Sequence, residues 1–199
     1  MIHFSELFAF LLAAVALLGS PGPAIAALLA VGRAVGWNGS MQFFWGLQLG
    51  LASAAAITAV GLFAALAAFP LALAAMSLIA TIYLVYLAFK IATSPIGEPE
   101  KLSIQSPKGS AGFIIGITNP KAYLAFASLF APFRIWEPQV FIDGTAKWLG
   151  VVVVMISVDI IWLWIGVTLG RLQVSERSER ILNYAMAAAI LFAAGLALL

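Results

Sequence analysis

The chain has 199 residues, of which 64% are hydrophobic and only 9% charged, with a net charge of +2. Soluble domains carry about 25% charged residues, so this composition is too apolar for a water-facing surface, and no basic face exists for nucleic acid. With no cysteine, one histidine and no nucleophile–base set, phosphate loop or metal cluster, the sequence offers neither an enzyme's machinery nor a metal or cofactor site.

A spanning helix needs about 20 mostly apolar residues, so the chain allows roughly six spans with short loops. The flank Ile2-His3-Phe4-Ser5-Glu6 lacks the Lys or Arg of a signal peptide, and the first apolar run is read as a retained span, about 5–31. Ser20-Pro21-Gly22-Pro23 interrupts it. Two prolines around a glycine break or kink a helix, and broken backbone at membrane depth survives only where protein or a water-filled cavity satisfies it. Ser20 suits the cap of the second half-helix, with Pro21 at its first position. The N–H groups and positive dipole end there suit an anion such as a carboxylate; the plainer alternative is a structural kink.

Arg33 and the turn Gly36-Trp37-Asn38-Gly39 lead to a second span, about Met41 to Ala67. Gln48, Ser53 and Thr58 within it either line a polar path or bond to neighbouring helices. Pro70 opens the third span, 71–92, which ends in Tyr83-Leu84-Val85-Tyr86 and Lys90, the tyrosines reading as interfacial anchors. Residues 94–110, rich in Pro, Ser, Gly and charge, form a linker.

The fourth span, 111–133, is interrupted by Asn119-Pro120-Lys121, where Asn suits a cap and Pro the position after it. Lys121 falls near the span's centre, where a charge costs about 2.5–3.5 kcal/mol. It either holds a substrate carboxylate or locks two helices through an ion pair. The fifth span, 147–170, carries Asp159 at similar depth, the one acid well inside a span. A static bridge to Lys121 and a cavity-facing proton carrier are both open readings of it. A solvated stretch from Arg171 to Arg180 precedes the sixth span, 181–199.

The odd loops and their flanks hold Arg33, Lys90, Lys101, Lys108, Arg171, Arg177 and Arg180, against Arg134 and Lys147 opposite. The positive-inside rule then puts the odd loops in the cytoplasm and both termini outside. Ser20-Pro21 and Asn119-Pro120 occupy corresponding places, and three spans per half invert the second half, as in transporters with inverted repeats. Gly46/Gly50, Gly112/Gly116 and Gly166/Gly170 are small pairs that let helices approach, or chance in a Gly/Ala-rich chain. The fold class is therefore an all-α membrane protein. Its six transmembrane helices form a 3+3 inverted repeat, 1–93 and 111–199, in one transmembrane domain with Pro-broken first and fourth helices.

Pro21-Gly22-Pro23 with an apolar run to Arg33, then Gly36 and Gly46–Gly50, begins a longer series of landmarks. Tyr83-Leu84-Val85-Tyr86-Leu87 with Lys90, Asn119-Pro120-Lys121-Ala122 leading to Phe133, and Gly170-Arg171-Leu172 complete it. Together they resemble the lysine exporter (LysE) superfamily, most closely its homoserine/threonine-efflux (RhtB) branch. The resemblance implies export of an amino acid or similar metabolite across a bacterial inner membrane by proton antiport. It implies a bilayer and an amino-acid-like substrate as partners and leaves self-association open. The substrate site would comprise Ser20, Pro21, Gly22, Pro23, Gln48, Asn119, Pro120 and Lys121, with Asp159 as proton partner. A non-transporting scaffold or assembly protein, or a channel, on the same fold is the rival reading.

Overall fold

A computed structural model describes residues 3–20, 22–61, 70–93, 106–136, 139–171 and 176–196. Pro21, Lys101 and residues 94–105 of the expected linker lie outside them. The described residues form seven helices and no strand: α1 Phe4–Gly19, α2 Pro23–Ala59, α3 Pro70–Ala92, α4 Gly109–Ile117, α5 Pro120–Phe130, α6 Val140–Arg171 and α7 Glu176–Leu196. The expected first and fourth spans are both broken, after Gly19 and after Ile117. The pair α4 and α5 is bent by 54°.

α2 is not one rod. Gly36 sits inside it at φ 68, ψ −172, a left-handed conformation that glycine adopts without a Cβ clash. The segment 23–35 is therefore the second half of the first expected span, and 37–59 is the second span. Among the described residues α6 alone is by length and apolarity able to cross a bilayer, and the two bent pairs raise that number to three. α3 and α7 add the shorter apolar runs Thr81–Ala92 and Asn183–Phe192. The described helices thus account for half of the six expected crossings by this measure. Large apolar side chains point outward, among them Phe8, Leu49, Val153, Ile161 and Trp164, while Phe10, Phe43, Leu47, Phe126 and Leu163 are fully buried. Outward apolar faces of this kind suit lipid and not water.

Two seams hold the helices together, and both use glycine to bring backbones into contact. Along the first, 42–51 lies against 109–116: a Cβ at Gly112 would stand 2.1 Å from Phe43 O, and one at Gly46 only 1.9 Å from Gly109 O. Along the second, Gly166 meets Leu29 O and Gly170 meets Arg33 O. In each seam the residue numbers rise together, so the paired segments run parallel. In hydrocarbon, where apolar burial does not drive association, such close packing is the main attraction between helices.

α6 begins at Val140, ahead of the expected 147, because its first turn carries a polar clamp. Asp143 Oδ1 accepts the backbone N–H groups of Ile135 (2.6 Å) and Trp136 (2.8 Å), and Asp143 Oδ2 meets Lys147 Nζ at 2.6 Å. Lys147 also donates to Phe130 O at the end of α5, at 3.1 Å, and His3 N donates to Ile135 O at 3.0 Å. Lys147, expected as a loop charge, is instead the partner of Asp143 at the i,i+4 spacing of a helix pair. Burial alone would raise the Asp143 carboxyl, but the Lys147 ammonium and the two N–H donors outweigh it and hold it below the usual carboxylate range.

Two expectations follow. Gly112→Ala should lower stability by about 1–3 kcal/mol in detergent unfolding, as overpacking does. Gly144→Ala, whose Cβ would meet nothing within 4 Å, should be neutral or stabilising by comparison. Asp143→Asn should lower the unfolding temperature near neutral pH. A depressed folded carboxyl stabilises above its unfolded value of about 3.9 and loses that contribution as pH falls through the lower folded value. The gap between wild type and Asp143→Asn should therefore close on acidification below about pH 4; a gap constant with pH would refute the clamp's ionic character.

Candidate functional site

The two helix breaks meet. α1 ends with Ser20 at its C-cap (φ −74, ψ 141), and α2 restarts with Gly22 as N-cap and Pro23 at its first position. This corrects the expected assignment: Ser20 closes the first half-helix and does not open the second. Pro23, not Pro21, takes the position where a missing N–H is harmless. At the second break the expectation holds for the backbone, with Asn119 as N-cap and Pro120 first in α5. The Asn119 side chain makes no capping bond, however, and its Oδ1 is buried without a partner.

Lys121 joins the breaks. As the second residue of α5 it sits at a positive dipole end, unfavourable for a cation. Its ammonium reaches across to the end of α1, donating to Ser20 O and, at 2.9 Å, to Ser20 Oγ. There the dipole sign is right, and a carbonyl left over by the helix end gains a donor. The preceding carbonyl, Gly19 O, accepts Trp162 Nε1–H at 3.3 Å. Ser20 passes its own hydroxyl proton to Leu17 O at 2.7 Å. Gly22 leaves room for the lysine: a Cβ there would stand 2.7 Å from Lys121 Cδ and 3.0 Å from Nζ.

Between the breaks lies a cavity of about 40 Å³ lined by Ser20, Gly22, Asn119, Lys121 and Asp159, with Leu51, Phe126 and Met155 among its apolar walls. Apolar cavities of about 150 Å³ admit benzene, so this one has room for water and not for an amino acid. Asp159 is buried, and its Oδ2 accepts Gln48 Nε2–H at 2.8 Å. Asp159 is thus bonded to Gln48, and Lys121 to Ser20. Gln48 Oε1 is buried without a partner, as is Asn119 Oδ1. Gln48 is not among the cavity's walls and reaches it through Asp159, so the site itself holds one cation and one acid, two helix N-termini and the unpartnered Asn119 Oδ1. That polarity matches a small ligand carrying both a carboxylate and an N–H donor.

Pro23 and Pro120 shape the breaks as first helical residues and are not among the cavity's walls, and Pro21 lies outside the described residues. Ser53 and Thr58 donate to their own helix, to Leu49 O and Ala54 O at 2.8 Å each, and do not line the cavity. Away from it, Arg33 Nη1 donates to Asn183 Oδ1 and lies 3.4 Å from Met186 Sδ, tying α2 to α7. Nothing in the sequence marked that bond, since neither residue signals the other. The apolar walls Leu51 and Met155 were equally silent.

A family model described as LysE type translocator matches residues 15–199. No curated protein matches the chain, and no solved structure does.

The Gly22–Lys121 contact is open to a direct test. Gly22→Ala should fold, because the atom it meets is a flexible side chain, yet should lose stability through displacement of the lysine. In a double-mutant cycle with Lys121→Ala, the two substitutions should couple by about 0.5–3 kcal/mol. Additive effects would mean that Gly22 is not keeping space for Lys121.

Proposed function

The chain belongs to the LysE type translocator family, a family of membrane transporters, and we propose that it exports amino acids or related small metabolites across the bacterial inner membrane in exchange for protons. The observation that carries this reading is the meeting of Lys121 and Asp159 in the walls of one cavity where two broken helices abut. The substrate carboxylate takes the Lys121 ammonium and the N-termini after Gly22 and Asn119. Asp159 carries the coupling proton or meets the substrate ammonium, with Gln48 orienting its carboxylate.

The reading extends to six spans arranged as a 3+3 inverted repeat, both termini outside, in the homoserine/threonine-efflux branch. The two glycine seams set the moving parts. Each seam pairs a segment from one half with a segment from the other, so the rigid units are 37–59 with α4 and 23–35 with α6. Alternating access turns these cross-paired units against each other at Gly36 and the break at 118–119, and not one sequence half against the other.

The test is uptake into proteoliposomes over an amino-acid panel, with and without a pH gradient. Wild type should accumulate at least one member only with the gradient imposed. Asp159→Asn should lose gradient-driven accumulation while still exchanging substrate. Lys121→Gln should raise KM by roughly tenfold to a hundredfold, the worth of a hydrogen bond to a charged group. Flux that ignores the gradient and does not saturate would favour a channel. No flux, with the double neutralisation of Lys121 and Asp159 tolerated in cells, would favour a scaffold.

A further inference from the structure

We propose that Ser20 is an internal stand-in for the substrate's carboxylate, a partner that Lys121 gives up when substrate arrives. The inference rests on the reading of Lys121 as the carboxylate holder and goes beyond it, because it makes Ser20 a competitor of the substrate and not one of its contacts.

The cavity of about 40 Å³ is too small for any amino acid, so binding has to move something that now fills the space. Lys121 is the cation of the site, and its bonds to Ser20 O and Ser20 Oγ span the seam between the end of α1 and the start of α5. A cation at this depth needs oxygen acceptors at all times. Two neutral oxygens of one residue, Ser20, are among them, in the two-pronged manner of a carboxylate. An ionised carboxylate is the better acceptor, since charge-assisted bonds are roughly twice as strong as neutral ones. Exchange of Ser20 for substrate therefore costs the lysine nothing and releases the contact that ties the end of α1 to the start of α5. Ser20 is built to leave: it stands outside the helix in extended backbone, and its hydroxyl proton already has a separate acceptor in Leu17 O. The device selects for a free carboxylate. An ester or amide of the same amino acid presents only neutral oxygens, no better than those of Ser20, and leaves the seam shut.

The chain has no cysteine, so Ser20→Cys places one thiol at the seam. The experiment follows its alkylation by a membrane-permeant maleimide in proteoliposomes. The probes are a pool of the common L-amino acids and the pool of their methyl esters. The amino-acid pool should accelerate alkylation several-fold, the ester pool should not, and in Ser20→Cys with Lys121→Gln the reaction should be fast throughout. As a second measure, Ser20→Ala should lower the KM of the fastest-transported pool member by roughly three- to tenfold, because a competing acceptor is gone. Protection of the thiol by amino acids, or a KM raised or unchanged in Ser20→Ala, overturns the stand-in while leaving export intact. Absence of wild-type transport from the whole pool would sink the export reading itself, and these two failures are distinguishable in the same vesicles.

Discussion

A helix that breaks inside hydrocarbon leaves carbonyls at one end and N–H groups at the other, and lipid supplies partners for neither. The organisation of this protein follows from having two such breaks and letting them satisfy each other. The end of α1 presents the carbonyls of Gly19 and Ser20, which take the Trp162 indole N–H and the Lys121 ammonium. The lysine comes from the second break, so the two can be stable only side by side. The candidate cavity lies between the two breaks that satisfy each other in this way.

The same constraint explains the seams. Without an apolar driving force between helices, the bundle relies on backbone approach, and glycine permits that at 42–51 against 109–116 and at 29–33 against 166–170. Close seams are stiff because a shift of a few tenths of an ångström drives backbone into backbone. Freedom is left at Gly36 and at the non-helical residues 118 and 119. On the proposed reading, the stiff and the free parts of the molecule are thus divided by where glycine meets a neighbour and where it meets nothing, as at Gly36.

Prolines and charges inside apolar runs are rare and costly, so the two breaks, Lys121 and Asp159 were legible in the sequence without any partner in view. The glycine pairs were visible too, but not what they face, because one helix does not encode the register of its neighbour. The Ser20 cap was misread for a definite reason. Pro21 and Pro23 both suit the first helical position, and local sequence does not say which of them opens the helix. Asp143 was legible by its spacing from Lys147 and lost because that lysine was counted only as a topology charge. Arg33 with Asn183 left no local trace at all.

Keeping Lys121 and Asp159 in one cavity, each on a neutral partner, has a consequence for selectivity. Had they formed a buried ion pair, each would have been the other's best ligand, and separating them would leave an uncompensated charge at several kcal/mol. A zwitterion would then have to break a strong bond before making its own. Here the lysine rests on Ser20 oxygens and the acid on the Gln48 amide. Each resting contact is weaker than what an amino acid offers in exchange, an anion for the lysine and a cation for the acid. On the proposed reading, substrate that brings both charges can replace both contacts, while a molecule bringing only one leaves the other seated. Recognition of a zwitterion then needs no pocket shaped in advance, only two charged groups held apart by partners poor enough to be given up.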